Sequence, residues 1–147
     1  MEASLTLEAR LQELDRLLAF VDQIAQSIIS SFVLQLVCEE VFTNIIRHAG
    51  LSPQQQIIFS YRSSPESLFL SFQDWGRPYD PEAISPSEAQ QELEQQNIGG
   101  QGWRLIRHYV DQLNYDRKDE SNILTVIIEL IHIATNQPPA LTTDAIL

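Results

Sequence analysis

The chain has 147 residues and a formal net charge of −11, with a sequence pI near 4.5. That length suits one domain with a substantial core, and no second domain is expected. The acidity and the scatter of Lys and Arg exclude the basic footprint of a nucleic-acid or anionic-membrane binder, and suit solubility and a basic partner surface.

Cys38 is the single cysteine, which excludes an intramolecular disulfide and fits a reducing compartment. It sits inside an apolar pattern and reads as a buried, inert thiol, because burial raises a thiol pKa. No apolar run approaches about 18 residues, and no basic N-terminal region leads into an apolar one. A cytoplasmic protein that does not span a membrane is expected.

In chain order, Ser4 to Glu8 alternates Leu5 and Leu7 with polar neighbours and reads as a short first strand. From Leu11 to Ser27, Leu11, Leu14, Leu17, Leu18, Val21 and Ile24 recur at helical spacing, predicting an amphipathic helix. Ser30 or Ser31 can cap the next helix, which Gly50 and Pro53 end. Gln56 to Arg62 and Ser67 to Phe72 are β-branched and aromatic runs joined by Ser63, Ser64, Pro65 and Glu66, a β-hairpin. Strand chemistry then gives way to turn chemistry over Asp74, Trp75, Gly76, Arg77 and Pro78.

Asp80 to Asn97 is polar and rich in Gln and Glu, and reads as a mobile connection rather than a core element. Gly99, Gly100 and Gly102 follow, opening onto a third helix in which Trp103, Leu105, Ile106, Tyr109, Val110 and Leu113 are helically spaced. Asn114 to Asp116 and Asn122 to Ile133 give a second hairpin whose last strand is apolar on both faces and so belongs in mid-sheet. The domain is expected over residues 1–134, with 135–147 as a disordered tail containing Pro138 and Pro139.

The helix from Leu34 to Gly50, LQLVCEEVFTNIIRHAG, organises the rest. Val33, Leu36, Val37 and Val41 form one apolar stripe, with Glu40 and Asn44 in the middle of it. A carboxylate there costs several kcal/mol unless charge or hydrogen bonds compensate it. An acid and an amide at i, i+4 point the same way and can share a bound ion, or they can be a satisfied polar pair. Glu39 projects from a different side and reads as an ordinary solvated or capping-region acid.

An acid and amide on a helix, an Asp-x-Gly turn after a strand and a glycine loop before another helix jointly point at a nucleotide. Asp74 can accept from the exocyclic amino group of adenine, and Gly76 lets the base approach the backbone. Alone, Asp-x-Gly is better explained as a structural turn, since turns carry this tripeptide constantly. Gly99, Gly100 and Gly102 can present N–H groups to phosphate oxygens, helped by a helix N-terminus near Gly102. Asn44 offers a hard oxygen to Mg²⁺, which takes phosphates among its other ligands, and Glu40 then lies near the transferred group. The patterns GxxxxGK[ST] and GxGxxG after a first strand are absent. His48, one turn after Asn44 near a helix C-terminus, suits a structural role better than a metal one. Trp75 and Trp103 flank the site as packing or contact residues.

These residues resemble the GHKL ATPases, and within them the small anti-sigma-factor serine kinases of bacterial sporulation and stress switches. EEVFTNIIRHA resembles the family's N box, DWGRPYDP its first glycine box and GGQGWRLIRHYVD its second, over roughly Leu5 to Glu129. The resemblance implies an α+β, two-layer α/β sandwich with a mixed, mostly antiparallel sheet covered on one face by helices, the Bergerat or histidine-kinase-like ATPase fold. It implies Glu40 as general base, Asn44 as Mg²⁺ ligand, Asp74 and Gly76 as adenine contacts, Gly100 and Gly102 in the phosphate loop, and Asp80 to Asn97 as ATP lid. It further implies ATP and Mg²⁺ as cofactors, an anti-sigma-factor antagonist protein and a sigma factor or analogous regulator as partners, and a homodimer. One departure stands out: no Lys or Arg lies between Arg77 and Arg104, so the lid brings no cation to the γ-phosphate. Arg104 and Arg107 either reach in from the third helix or face water.

The leading expectation is therefore a partner-switching protein serine/threonine kinase. A nucleotide-gated binding module that does not catalyse is the alternative suggested by the lid. The ATP domain of a histidine kinase fits less well, since the chain starts with the domain's first strand and no phosphoacceptor helix precedes it. A plain α+β interaction domain would leave the placement of Glu40 and Asn44 and both glycine segments unexplained.

Overall fold

The computed structural model describes residues 1–25, 31–79 and 107–130. Five strands form one sheet in the order β1-β2-β3-β5-β4, namely β1 Glu2–Glu8, β2 Gln56–Ser63, β3 Ser67–Asp74, β4 Gln112–Lys118 and β5 Ser121–Glu129. All four ladders are antiparallel, so the parallel member of a mixed sheet is not found among the described residues. Helices α1, Leu14–Ile24, and α2, Phe32–His48, supply the second layer.

Strand alternation builds the interface between the layers. Ile57, Phe59 and Tyr61 of β2, Leu68, Leu70 and Phe72 of β3, and Leu124, Val126 and Ile128 of β5 are buried on the helix side. Phe20 of α1 meets Phe59 edge-on at 6.0 Å between ring centroids, joining helix to sheet. Burying each such aromatic or aliphatic side chain stabilises the fold by about 1.5–3 kcal/mol. The expectation for β5 holds: it lies between β3 and β4, with Ile123 and Ile127 half-buried on its other face.

Several boundaries differ from the sequence reading. The first helix opens as a 3-10 turn over Leu11–Glu13, and Leu11 is exposed rather than part of the core stripe. Ser31 stands at the N-cap of α2 without a side-chain capping bond; its carbonyl accepts from the Gln35 amide at 2.9 Å. At the other end Ala49 is the C-cap and Gly50 follows at φ +66°, the left-handed conformation glycine adopts freely.

Leu113, which shares helical spacing with Tyr109, belongs instead to β4 and pairs with Val126. The helical residues 107–109 end because Asp111 turns to the sheet: its amide donates to the Ile127 carbonyl, and its Oδ2 accepts from the Glu129 amide at 2.7 Å. Asp119 and Glu120, both at positive φ, make the two-residue turn that sets Arg117 opposite Asn122. Strand β5 stops at Glu129 rather than Ile133, and the expected tail lies outside the described residues. No helix among the described residues is long and apolar enough to cross a membrane.

Candidate functional site

Helix α2 turns a different face to the sheet than the apolar count suggests. Leu34, Val37, Cys38, Val41, Phe42 and Ile45 form its buried stripe, while Leu36 and Glu40 are only half-buried. Glu40 therefore stands at the border of the core face, not in its middle, because Cys38, Phe42 and Ile45 rotate the stripe away from it. Its carboxylate takes no hydrogen bond from a described residue. Burial and the neighbouring Glu39 carboxylate push its pKa up, with Arg47 pulling the other way. A half-exposed carboxylate of raised pKa without a fixed donor has the properties of a proton acceptor.

One turn on, Asn44 is 5% exposed. Its Nδ2 donates to the Glu40 carbonyl at 2.8 Å, which fixes the amide plane and leaves Oδ1 without a described donor. An oriented, uncommitted carbonyl oxygen on a buried residue fits Mg²⁺, which needs only one or two protein oxygens when phosphates complete its shell. Among the described residues no group of three or more His, Cys, Asp or Glu could hold a metal by itself. Cys38 is buried within the same helix, and burial pushes its thiol well up, as expected for an inert side chain.

Asp74 ends β3 on the helix side and is 3% exposed. Its Oδ1 accepts from the Gly76 amide at 2.8 Å and from Asn122 Nδ2 at 3.0 Å, while Oδ2 takes no hydrogen bond from a described residue. Burial raises its pKa, and the bonds from Asn122 and Gly76 and the charge of Arg117 oppose that rise. The free oxygen is an acceptor suited to an amino group.

Gly76 has a packing reason of its own. A Cβ there would lie 2.3 Å from the Ala49 carbonyl oxygen and 2.8 Å from the Ala49 Cβ, so the absent side chain makes room for the end of α2. Contact with a base is not what the described residues require of it. Next to it, Arg77 donates its amide to the Ala49 carbonyl at 2.8 Å and its Nε to the His48 carbonyl at 2.7 Å, satisfying two of the helix's orphan acceptors. The His48 ring stacks on Tyr79 at 4.9 Å, which agrees with a structural role. The helix that carries Glu40 and Asn44 and the turn that follows Asp74 are thus bonded to each other.

Three residues were missed from the sequence. Asn122 is buried at the head of β5, where Tyr115 and Arg117 reach it from β4. Asn122 falls in phase with Leu124, Val126 and Ile128, so period-two counting would have placed an amide on the buried face. Gly99, Gly100, Gly102, Trp103, Arg104 and the expected lid from Asp80 to Asn97 lie outside the described residues. Arg107 is exposed, and Trp75 is 41% exposed. A concave patch of about 540 Å³ among Ser60, Arg62, Phe69 and Thr125 on the sheet's outer face contains none of the candidate residues.

A sequence model described as the histidine kinase-like ATPase domain matches residues 7–128. The serine/threonine-protein kinase BtrW of Bordetella bronchiseptica is 36% identical over 97 residues, covering 65% of this chain and 68% of that protein. Among solved structures, the catalytic domain of the histidine kinase ThkA superposes with a TM-score of 0.52 at 12% identity, covering 93% of this chain and 99% of that one, a likeness of fold alone. The matched segment runs from the buried Leu7 of β1 through α2 to Ile128 of β5, and the chain belongs to the histidine kinase-like ATPase domain family.

Proposed function

We propose that the chain is an ATP- and Mg²⁺-dependent protein serine/threonine kinase that phosphorylates a small STAS-type anti-sigma-factor antagonist and separately sequesters a sigma factor or analogous regulator. Domains of this family bind ATP, generally with Mg²⁺, and the similar BtrW is a serine/threonine-protein kinase. The observation that carries the reading is the pairing of two uncommitted acceptors, Asn44 Oδ1 and Asp74 Oδ2, on elements that Arg77 bonds together. Asp74 would receive the adenine amino group. Asn44 would hold Mg²⁺, which supplies charge neutralisation for the phosphates. Glu40 would accept the proton of the substrate serine as its oxygen bonds to the γ-phosphorus and the bond to the ADP oxygen breaks. The acidic, disulfide-free chain suits a cytoplasmic regulator.

The test is transfer of labelled γ-phosphate from ATP to a serine of a STAS-domain antagonist protein, with a serine-to-alanine antagonist as control. Labelling of that serine is expected. ATP binding without labelling favours a second reading, a nucleotide-gated binding module, which the absence of Lys and Arg between Arg77 and Arg104 supports.

A further inference from the structure

Asn122 is a buried amide that the steps above leave unused. It is 3% exposed, and its hydrogen-bonding capacity is filled. Its Nδ2 donates to Asp74 Oδ1 at 3.0 Å and to the Arg77 carbonyl at 2.8 Å. Its Oδ1 accepts from the Tyr115 hydroxyl at 2.6 Å and from Arg117 Nη1 at 3.0 Å. The partners settle which end of the amide is which: a guanidinium only donates and a peptide carbonyl only accepts, so Oδ1 faces Arg117 and Nδ2 faces Arg77. Rotating the amide would break four bonds at once. Asp74 Oδ1 therefore always meets a donor from Asn122 and a second from Gly76.

We propose that Asn122 is a positioning residue that holds Asp74 as a hydrogen-bond acceptor, so that the site selects 6-amino over 6-oxo purine nucleotides. The proposal rests on the nucleotide reading above. A 6-amino purine donates to Asp74 Oδ2. A 6-oxo purine sets a carbonyl against a carboxylate, two acceptors face to face, and becomes tolerable only when Oδ2 carries a proton. Burial of Asp74 favours that proton, while the bonds from Asn122 and Gly76 and the charge of Arg117 oppose it. The groups around the carboxylate are Arg117 and Tyr115 from β4, Arg77 beyond β3, and the His48 turn of α2 that Arg77 caps. Removing the Asn122 donor frees Asp74 to rotate and to take the donor form that a 6-oxo purine accepts.

The experiment is calorimetric titration with ATP and with ITP, both with Mg²⁺, of the unmodified protein, Asn122→Leu and Tyr115→Phe, with circular dichroism to establish folding. The unmodified protein should prefer ATP by about tenfold or more, the worth of one charge-assisted hydrogen bond. In Asn122→Leu that ratio should fall towards unity, and in Tyr115→Phe, which loosens Asn122 without touching Asp74, part of the way. A merely structural role would weaken both nucleotides together and leave the ratio intact. A folded Asn122→Leu that keeps the full ratio overturns the proposal; should that variant unfold, an unchanged ratio in Tyr115→Phe does so. An unmodified protein that binds neither nucleotide removes the nucleotide reading itself, and this proposal with it.

Discussion

The backbone amide of Arg77 donates to the carbonyl of Ala49 at 2.8 Å, joining the turn beyond β3 to the last residue of α2. Gly76 makes that approach possible, since a Cβ on it would sit 2.3 Å from the same carbonyl. Gly76→Ala must push the turn off the helix end. A loss of about 1–3 kcal/mol, the usual range for overpacking against fixed backbone, is expected in urea unfolding. Nucleotide binding should weaken with it, because Asp74 and Asn44 lie on the two elements being separated. Wild-type stability in Gly76→Ala would show that the contact is not tight.

Asp74→Asn separates stability from binding. An asparagine can place its carbonyl where Oδ1 receives Gly76 and Asn122, and its amide then faces the ligand as a donor. ATP affinity should drop about tenfold to a hundredfold, the cost of losing a charge-assisted acceptor, while the melting temperature at neutral pH stays the same or rises. The pH dependence has a definite sign. The folded-state pKa of Asp74 is raised, so its contribution to stability is full below the ordinary aspartate range and is lost as pH rises through the raised value. Across that window the unmodified protein should lose stability relative to Asp74→Asn; a constant difference in melting temperature would contradict the burial argument.

Glu40→Gln should bind Mg-ATP with nearly unchanged affinity and lose phosphoryl transfer by about 10²–10⁴-fold, the scale of a general base. In the unmodified protein the base is active when ionised, and its pKa is raised by burial and by Glu39. The transfer rate should therefore climb with pH through a value above the usual glutamate range and then level off. A rate independent of pH there, or normal transfer by Glu40→Gln, assigns the proton to another group.

Much of this was legible because the signals were local. Strand alternation in Leu68, Leu70 and Phe72 and the doubly apolar run from Asn122 onward placed β3 and β5 correctly, including the mid-sheet position of β5. The phase of α2 was less legible: several residue pairs on a helix satisfy an apolar stripe, and the choice of Cys38, Phe42 and Ile45 over Leu36 is made by the sheet beneath. Leu113 was misplaced because four residues after Tyr109 suits a helix as well as the first inward position of a strand. Asn122, Tyr115 and Arg117 escaped notice because their role exists only across a ladder, where Arg117 stands opposite Asn122 and Asn122 opposite Asp74. The packing constraint on Gly76 was not legible, because the helix end it makes room for lies more than 25 residues away in sequence.

Calorimetric titration of the purified protein with Mg-ATP, beside Asn44→Ala, tests whether Asn44 and Asp74 form one nucleotide site. Among the described residues the Asn44 side chain bonds only to the Glu40 carbonyl one turn back, so its removal should leave the fold intact. Saturable binding by the unmodified protein, weakened in Asn44→Ala and weakened in the unmodified protein when Mg²⁺ is omitted, is the predicted result. No heat of binding at millimolar ATP, or identical binding by the two proteins, would rule out a nucleotide site built on Asn44 and Asp74.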